Sequence, residues 1–233
     1  LLPFGVSAEE AKIEAKSALL MDVATGTVLY EQNSHEALAP ASVTKVMTML
    51  LIMEAIDSGK IAWEDQVIAS EAAAAKGGSQ IYLKVGESMS GQDMVKSIAV
   101  SSANDCACAM AEHIAGSESA FVETMNKRAE ELGMKDTHFV NPNGLDAPGH
   151  YSSARDLATL ASYAMTDPVF RQTVSTKAVK LGQRQLTNHN KLLWRVEGAE
   201  GVKTGYTRAA GRILVSSASR DGRRLVCVTI NAP

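Results

Sequence analysis

The sequence predicts a mixed α/β chain of the α+β type: an antiparallel sheet built from N- and C-terminal strands, with a large helical lobe inserted between them. Three observations lead there. Apolar runs around tight turns open and close the chain, helical patterns that stop near Gly or Pro fill the middle, and no Pro- or Ser-rich linker separates the two.

Residues 17–23 and 27–30 flank Ala24-Thr25-Gly26 and read as a β-hairpin. Helical periodicity then covers 42–58 before Gly59, 91–114 before Gly116, 119–132 before Gly133, and 153–165. Lys203-Thr204-Gly205 opens the first of three closing strands. Residues 212–220 and 223–230 around Asp221-Gly222 give the stronger of the two hairpin signals. Hairpins of this size do not fold alone, and a stretch of about 155 residues, 40–195, is too long for a connection. The terminal strands, at about 17–33 and 200–231, are therefore expected to share one sheet, and 9–233 to form a single domain. Residues 1–8 are apolar and end in a small-x-small pattern, as expected of a signal-peptide remnant or a disordered leader, and this favours export from the cytoplasm.

The 233 residues carry 23 Lys and Arg against 26 Asp and Glu, a net charge of −3, with 45% apolar and 5% aromatic side chains. Such a balance leaves neither a basic footprint nor a stacking platform for nucleic acid. The longest apolar run, 46–56, is broken by Thr48 and Glu54 and falls short of a membrane span. Cys106, Cys108 and Cys227 are an odd set with two members only two residues apart, which excludes a disulfide framework. His35, His113, His138, His150 and His189 are scattered singly, so neither a metal nor a cofactor is expected.

Chemistry is carried by three short patterns. Ser42-Val43-Thr44-Lys45 starts a helical run just after Pro40-Ala41, which puts hydroxyl and amine on one face. An amine kept neutral in a desolvated pocket can take the proton of such a hydroxyl. Alone the pattern is weak, since a Ser-x-x-Lys arises about once by chance in a chain of this composition. Ser102-Ala103-Asn104 interrupts two helical runs, and Gly205 of Lys203-Thr204-Gly205 would permit close approach of a substrate backbone. Each pattern also has an ordinary structural explanation, as a helix cap or a strand start. Their joint occurrence in this order, separated by 60 and 101 residues, is specific.

That trio resembles the penicillin-recognising serine enzymes. The likeness to the low-molecular-mass penicillin-binding proteins of the D-alanyl-D-alanine carboxypeptidase kind runs nearly end to end. It includes Asn143-Gly144-Leu145-Asp146-Ala147-Pro148-Gly149 and Ser153-Ala154-Arg155-Asp156-Leu157. The resemblance implies a β-lactamase/transpeptidase-like fold and a serine hydrolase that removes the terminal D-alanine from peptidoglycan stem peptides ending in D-Ala-D-Ala. It also implies acylation by β-lactams and an extracytoplasmic, bacterial setting.

By the same resemblance Ser42 is the nucleophile, Lys45 its proton acceptor, and Ser102 the relay to the leaving group. Asn104 holds a substrate amide and Lys203 supplies positive charge. Thr204 and Arg224 bind the terminal carboxylate, while the backbone N–H groups of Ser42 and Tyr206 form the oxyanion hole. The family's usual continuation into a helix, and in many members a β-domain and membrane anchor, does not follow Pro233 here, so membrane association is not legible. A class A-like β-lactamase is the closest alternative, but the segment where such enzymes carry their deacylating glutamate reads Asp136-Thr137-His138-Phe139-Val140-Asn141-Pro142-Asn143-Gly144. A β-lactam-binding sensor is the other.

Overall fold

In the computed structural model, which describes residues 13–233, the first and last strands of the chain pair with each other as the sequence predicts. The expected leader at 1–8 lies outside the described residues. Strands β1 (Ser17–Asp22) and β2 (Val28–Gln32) form the opening hairpin. Its turn is tied by Asp22 Oδ1, which accepts from the N–H groups of Ala24 and Thr25 at 3.0 and 3.2 Å.

A single 3-10 turn, Ala41–Thr44, leads into α1 (Lys45–Asp57). There follow β3 (Gln66–Ile68), α2 (Glu71–Ala74), β4 (Ser88–Ser90), α3 (Gly91–Ser101), α4 (Asn104–Ala115), α5 (Glu118–Glu131), α6 (Ala154–Ala164) and α7 (Pro168–Val174). Next come β5 (Ala178–Leu181), β6 (Arg184–Thr187) and α8 (Leu192–Arg195), and β7 (Ala199–Thr207), β8 (Gly211–Arg220) and β9 (Arg223–Ala232) close the chain. The main sheet is antiparallel with order β2-β1-β9-β8-β7.

The four predicted helical stretches are present, with differences that have local causes. The stretch 91–114 is two helices, because Ser102 turns left-handed (φ 59°) and ends α3 before α4 begins. The inserted lobe is also not wholly helical: β3 pairs with β4 and β5 with β6 in two small sheets. Strands of three and four residues are too short to establish a period-2 signal.

Helix α1 is buried on every side, with Val46, Met47, Met49 and Ile52 at 0–1% exposure, and packs against α3, α4, α5, α6 and α7. Strands β8 and β9 turn Ile213, Val215, Val226, Val228 and Ile230 toward the lobe, where α6 covers them. One contiguous apolar core therefore runs from α1 to the sheet. The start of α1 is thereby fixed beside strand β7, at the seam where lobe and sheet meet. Among the described residues no helix is long and apolar enough to cross a membrane.

Candidate active site

At that seam lies a cleft of about 600 Å3 whose walls include Ser42, Ser102, Thr204, Gly205 and Tyr206. Ser42 is half-buried in the 3-10 turn, one turn before Lys45, whose Nζ donates to Ser42 Oγ at 2.9 Å. Lys45 is fully buried and its Nζ also donates to the carbonyl of Asn143 at 2.5 Å. The second wall is the α3–α4 junction. There Ser102 Oγ accepts from Lys203 Nζ at 3.0 Å, and Lys203 Nζ also donates to Thr204 O at 3.0 Å. Asn104 opens α4, donating from Nδ2 to Gly77 O at 2.7 Å, while its buried Oδ1 has no partner among the described residues. The three motifs of the sequence are thus brought to one cleft.

Gly205 lines the cleft and also meets a steric demand. A Cβ there would sit 3.2 Å from Ala41 Cβ and 3.3 Å from Ser42 N, so the bare backbone of β7 lets the turn that carries Ser42 approach. The same approach sets Gly205 beside the Ser42 backbone nitrogen.

Arg224 is a correction. Thr204 pairs with Leu214, whereas Arg224 pairs with Ser219, five residues further along β8 and so about 17 Å away. Arg224 instead makes a two-pronged pair with Glu200, from Nε to Oε2 at 2.7 Å and from Nη2 to Oε1 at 3.0 Å. It does not line the cleft; among the arginines, Arg195 and Arg212 do.

Sequence reasoning also missed what holds the Ser42 turn in place. Thr48 Oγ1 donates to Pro142 O at 2.6 Å, and Asn141 Oδ1 accepts from the Gly144 N–H at 2.7 Å, which clamps the 141–145 turn beneath Ser42. His150 accepts from the Val140 N–H through Nδ1 (2.9 Å), so Nε2 carries the proton and donates to Thr44 Oγ1 (2.8 Å). Burial pushes this imidazole down to about 4, so it is neutral in the working range. Asp105 is buried behind Asn104 and accepts from the Ile81 and Leu83 N–H groups, anchoring the loop whose Gly77 holds Asn104. The Asn141-Pro142 and Asn143-Gly144 pairs were the available signals for this turn.

Electrostatically the site holds two buried amines and, among the described residues, neither forms an ion pair. Desolvation, then repulsion from Lys203, depresses Lys45 well below the ordinary lysine range. Burial brings Lys203 down to about 7. A neutral Lys45 beside a hydroxyl can accept its proton, and Lys203 can carry charge next to Ser102.

The cost of this arrangement is measurable. Between pH 7 and 10.5 the unfolded chain holds a proton on Lys203 that the folded chain releases, so the wild-type fold gains stability as pH rises. Lys203→Met should therefore be more stable than wild type at pH 7, and its advantage should shrink by about 2 kcal/mol by pH 9. Denaturant unfolding of both proteins at the two pH values checks this; a gap independent of pH would show that Lys203 is not desolvated.

The family model described as D-alanyl-D-alanine carboxypeptidase matches residues 5–233. The D-alanyl-D-alanine carboxypeptidase DacF of Bacillus subtilis is 48% identical over 233 residues, covering 98% of this chain and 60% of that protein. DacD of Escherichia coli is 41% identical, covering 99% and 61%. The chain thus spans about three fifths of the length of these curated relatives. Among solved structures, penicillin binding protein 6B from Escherichia coli superposes with a TM-score of 0.91 at 40% identity, covering all of this chain and 75% of that one. Penicillin-Binding Protein D2 from Listeria monocytogenes, in its ampicillin-bound form, gives 0.87 at 30% identity, covering 95% and 91%.

Proposed function

The chain belongs to the D-alanyl-D-alanine carboxypeptidase family, and on that premise we propose that it removes the terminal D-alanine from peptidoglycan stem pentapeptides through an acyl-enzyme on Ser42. The observation that carries this reading is the 2.9 Å hydrogen bond from buried Lys45 to Ser42.

Lys45, neutral, takes the Ser42 proton as Oγ attacks the carbonyl carbon of the penultimate D-alanine. The oxyanion that forms accepts from the backbone N–H groups of Ser42 and Tyr206, each worth about 3–4 kcal/mol by analogy with other acyl-transfer sites. As the C–N bond breaks, Ser102, beside Lys203, passes a proton to the departing D-alanine nitrogen. Water then attacks the ester and returns Ser42 to its free state. Thr204, on the cleft wall, binds the substrate's terminal carboxylate, and Asn104 holds a substrate amide. In a β-lactam the same attack opens the ring, but the leaving nitrogen stays tethered. Its substrate places the enzyme outside the cytoplasmic membrane, in cell-wall maturation. Among the described residues no Asp or Glu side chain lines the cleft, whereas Lys191, Arg195 and Arg212 do, which supports an anionic peptide as ligand.

The test is D-alanine release from a pentapeptide alongside labelling by fluorescent penicillin. Release by the wild type with a long-lived penicillin adduct is expected, since 136–144 holds no glutamate to drive deacylation. Rapid multiple-turnover hydrolysis of penicillin would replace this reading with a β-lactamase. A stable adduct without D-alanine release would replace it with a β-lactam sensor.

A further inference from the structure

The cleft has a third wall that none of the three motifs supplies, the loop between β6 and α8. It is built on asparagines. Asn188 Nδ2 donates to Thr176 O at 2.9 Å, Asn188 Oδ1 accepts from the Asn190 N–H at 2.9 Å, and Asn190 Oδ1 accepts from the Leu192 N–H at 3.1 Å. The last bond settles which end of the Asn190 amide is which, because only oxygen can face an N–H. Nδ2 is then the free end. It is buried on a residue 2% exposed, finds no acceptor among the described residues, and belongs to a side chain that lines the same cleft as Ser42 and Ser102.

Buried amide N–H groups are almost always paired, so an unpaired one on a cleft-lining residue marks a place where a ligand oxygen completes the set. The other cleft-lining polar groups here, His189 and Lys191 of the loop and Arg195 of α8, likewise favour an oxygen-rich, anionic ligand.

We propose that Asn190 is a substrate-binding residue whose Nδ2 donates to an oxygen of the stem peptide, making the 188–192 loop a specificity wall of the cleft. The inference rests on the carboxypeptidase reading. It differs from a purely structural role for the loop, because that role is already filled by the Asn188 bonds and by Asn190 Oδ1.

The test is Asn190→Asp, which keeps the oxygen that caps Leu192 and the shape of the side chain but replaces the donor with an anionic acceptor. With a D-Ala-D-Ala pentapeptide, KM should rise about tenfold or more, while kcat changes by less than about threefold and the unfolding midpoint holds. If the Asp variant does not fold, Asn190→Ser, whose hydroxyl still caps Leu192, carries the same test with a smaller rise in KM. An unchanged KM overturns the proposal, and so does a fall in kcat and stability at constant KM, which is the mark of a structural residue. Wild-type protein that releases no D-alanine would instead overturn the proposed function, so the two failures are told apart by the control.

Discussion

Labelled penicillin should modify the wild-type chain on the peptide containing Ala41 to Lys45, and Ser42→Ala should carry no label and release no D-alanine. Lys45→Arg should be nearly as damaging, with acylation slowed by about 10²–10⁴-fold. The physical reason is specific to this position. Lys45 is fully buried, has no ion-pair partner among the described residues, and sits near a second amine, all of which favour its neutral form. Guanidinium does not give up its proton in the accessible pH range, so an arginine cannot accept the Ser42 proton and would also bury an uncompensated charge. Lys45→Met separates these two effects. It removes the base without adding charge, so it should lose acylation to a similar degree while unfolding at a higher temperature than the arginine variant. Label on Ser42→Ala, or normal acylation of Lys45→Arg, would move the nucleophile or the base elsewhere.

How much of this was legible in the sequence depends on which atoms do the work. Ser42, Lys45, Ser102, Asn104 and Lys203 stand in local patterns, and the fold brings Ser42 and Ser102 to one cleft, with Lys45 and Lys203 hydrogen-bonded to them and Asn104 opening the helix beside Ser102. The terminal hairpins were legible for the same reason, because alternation and an Asp-Gly turn are local signals. Register is not local. The Asp221-Gly222 turn alone puts Arg224 opposite Ser219, but nothing local reveals that β7 pairs with β8 with Thr204 opposite Leu214, so the expected carboxylate partner turned out to be spent on Glu200. Backbone atoms leave no residue-type signature either, and the Asn143 carbonyl that accepts from Lys45 could be found only in three dimensions. Asp105 and Asn190 are ordinary polar letters in sequence; burial and the partners of their individual oxygens give them meaning.

The strongest consequence of that hidden backbone support is expected at Gly144. The residue has φ 86°, a conformation that costs an L side chain about 1–2 kcal/mol on its own. Here a side chain would meet more than strain, since its Cβ would collide with the carbonyl of Ala41 and lie 2.9 Å from Ser42 N. The turn cannot yield outward without breaking other bonds. Asn141 Oδ1 holds the Gly144 N–H, Pro142 O accepts from Thr48, and Asn143 O accepts from Lys45. Relief must therefore come from the 3-10 turn that carries the nucleophile, or from the contact between Asn143 and its base. A displacement near 1 Å at such a site costs about 10²-fold in rate. Gly144→Ala should accordingly lose at least about 10²-fold in kcat/KM for a D-Ala-D-Ala peptide, as well as in penicillin acylation, and should unfold at lower temperature. Gly133→Ala is the matched control, because Gly133 has φ 73° but nothing within 4 Å of where its Cβ would lie. It should lose a comparable share of stability to backbone strain and keep its activity. If Gly144→Ala retained activity within about threefold of wild type while Gly133→Ala behaved as expected, the turn beneath Ser42 would not be positioning the nucleophile.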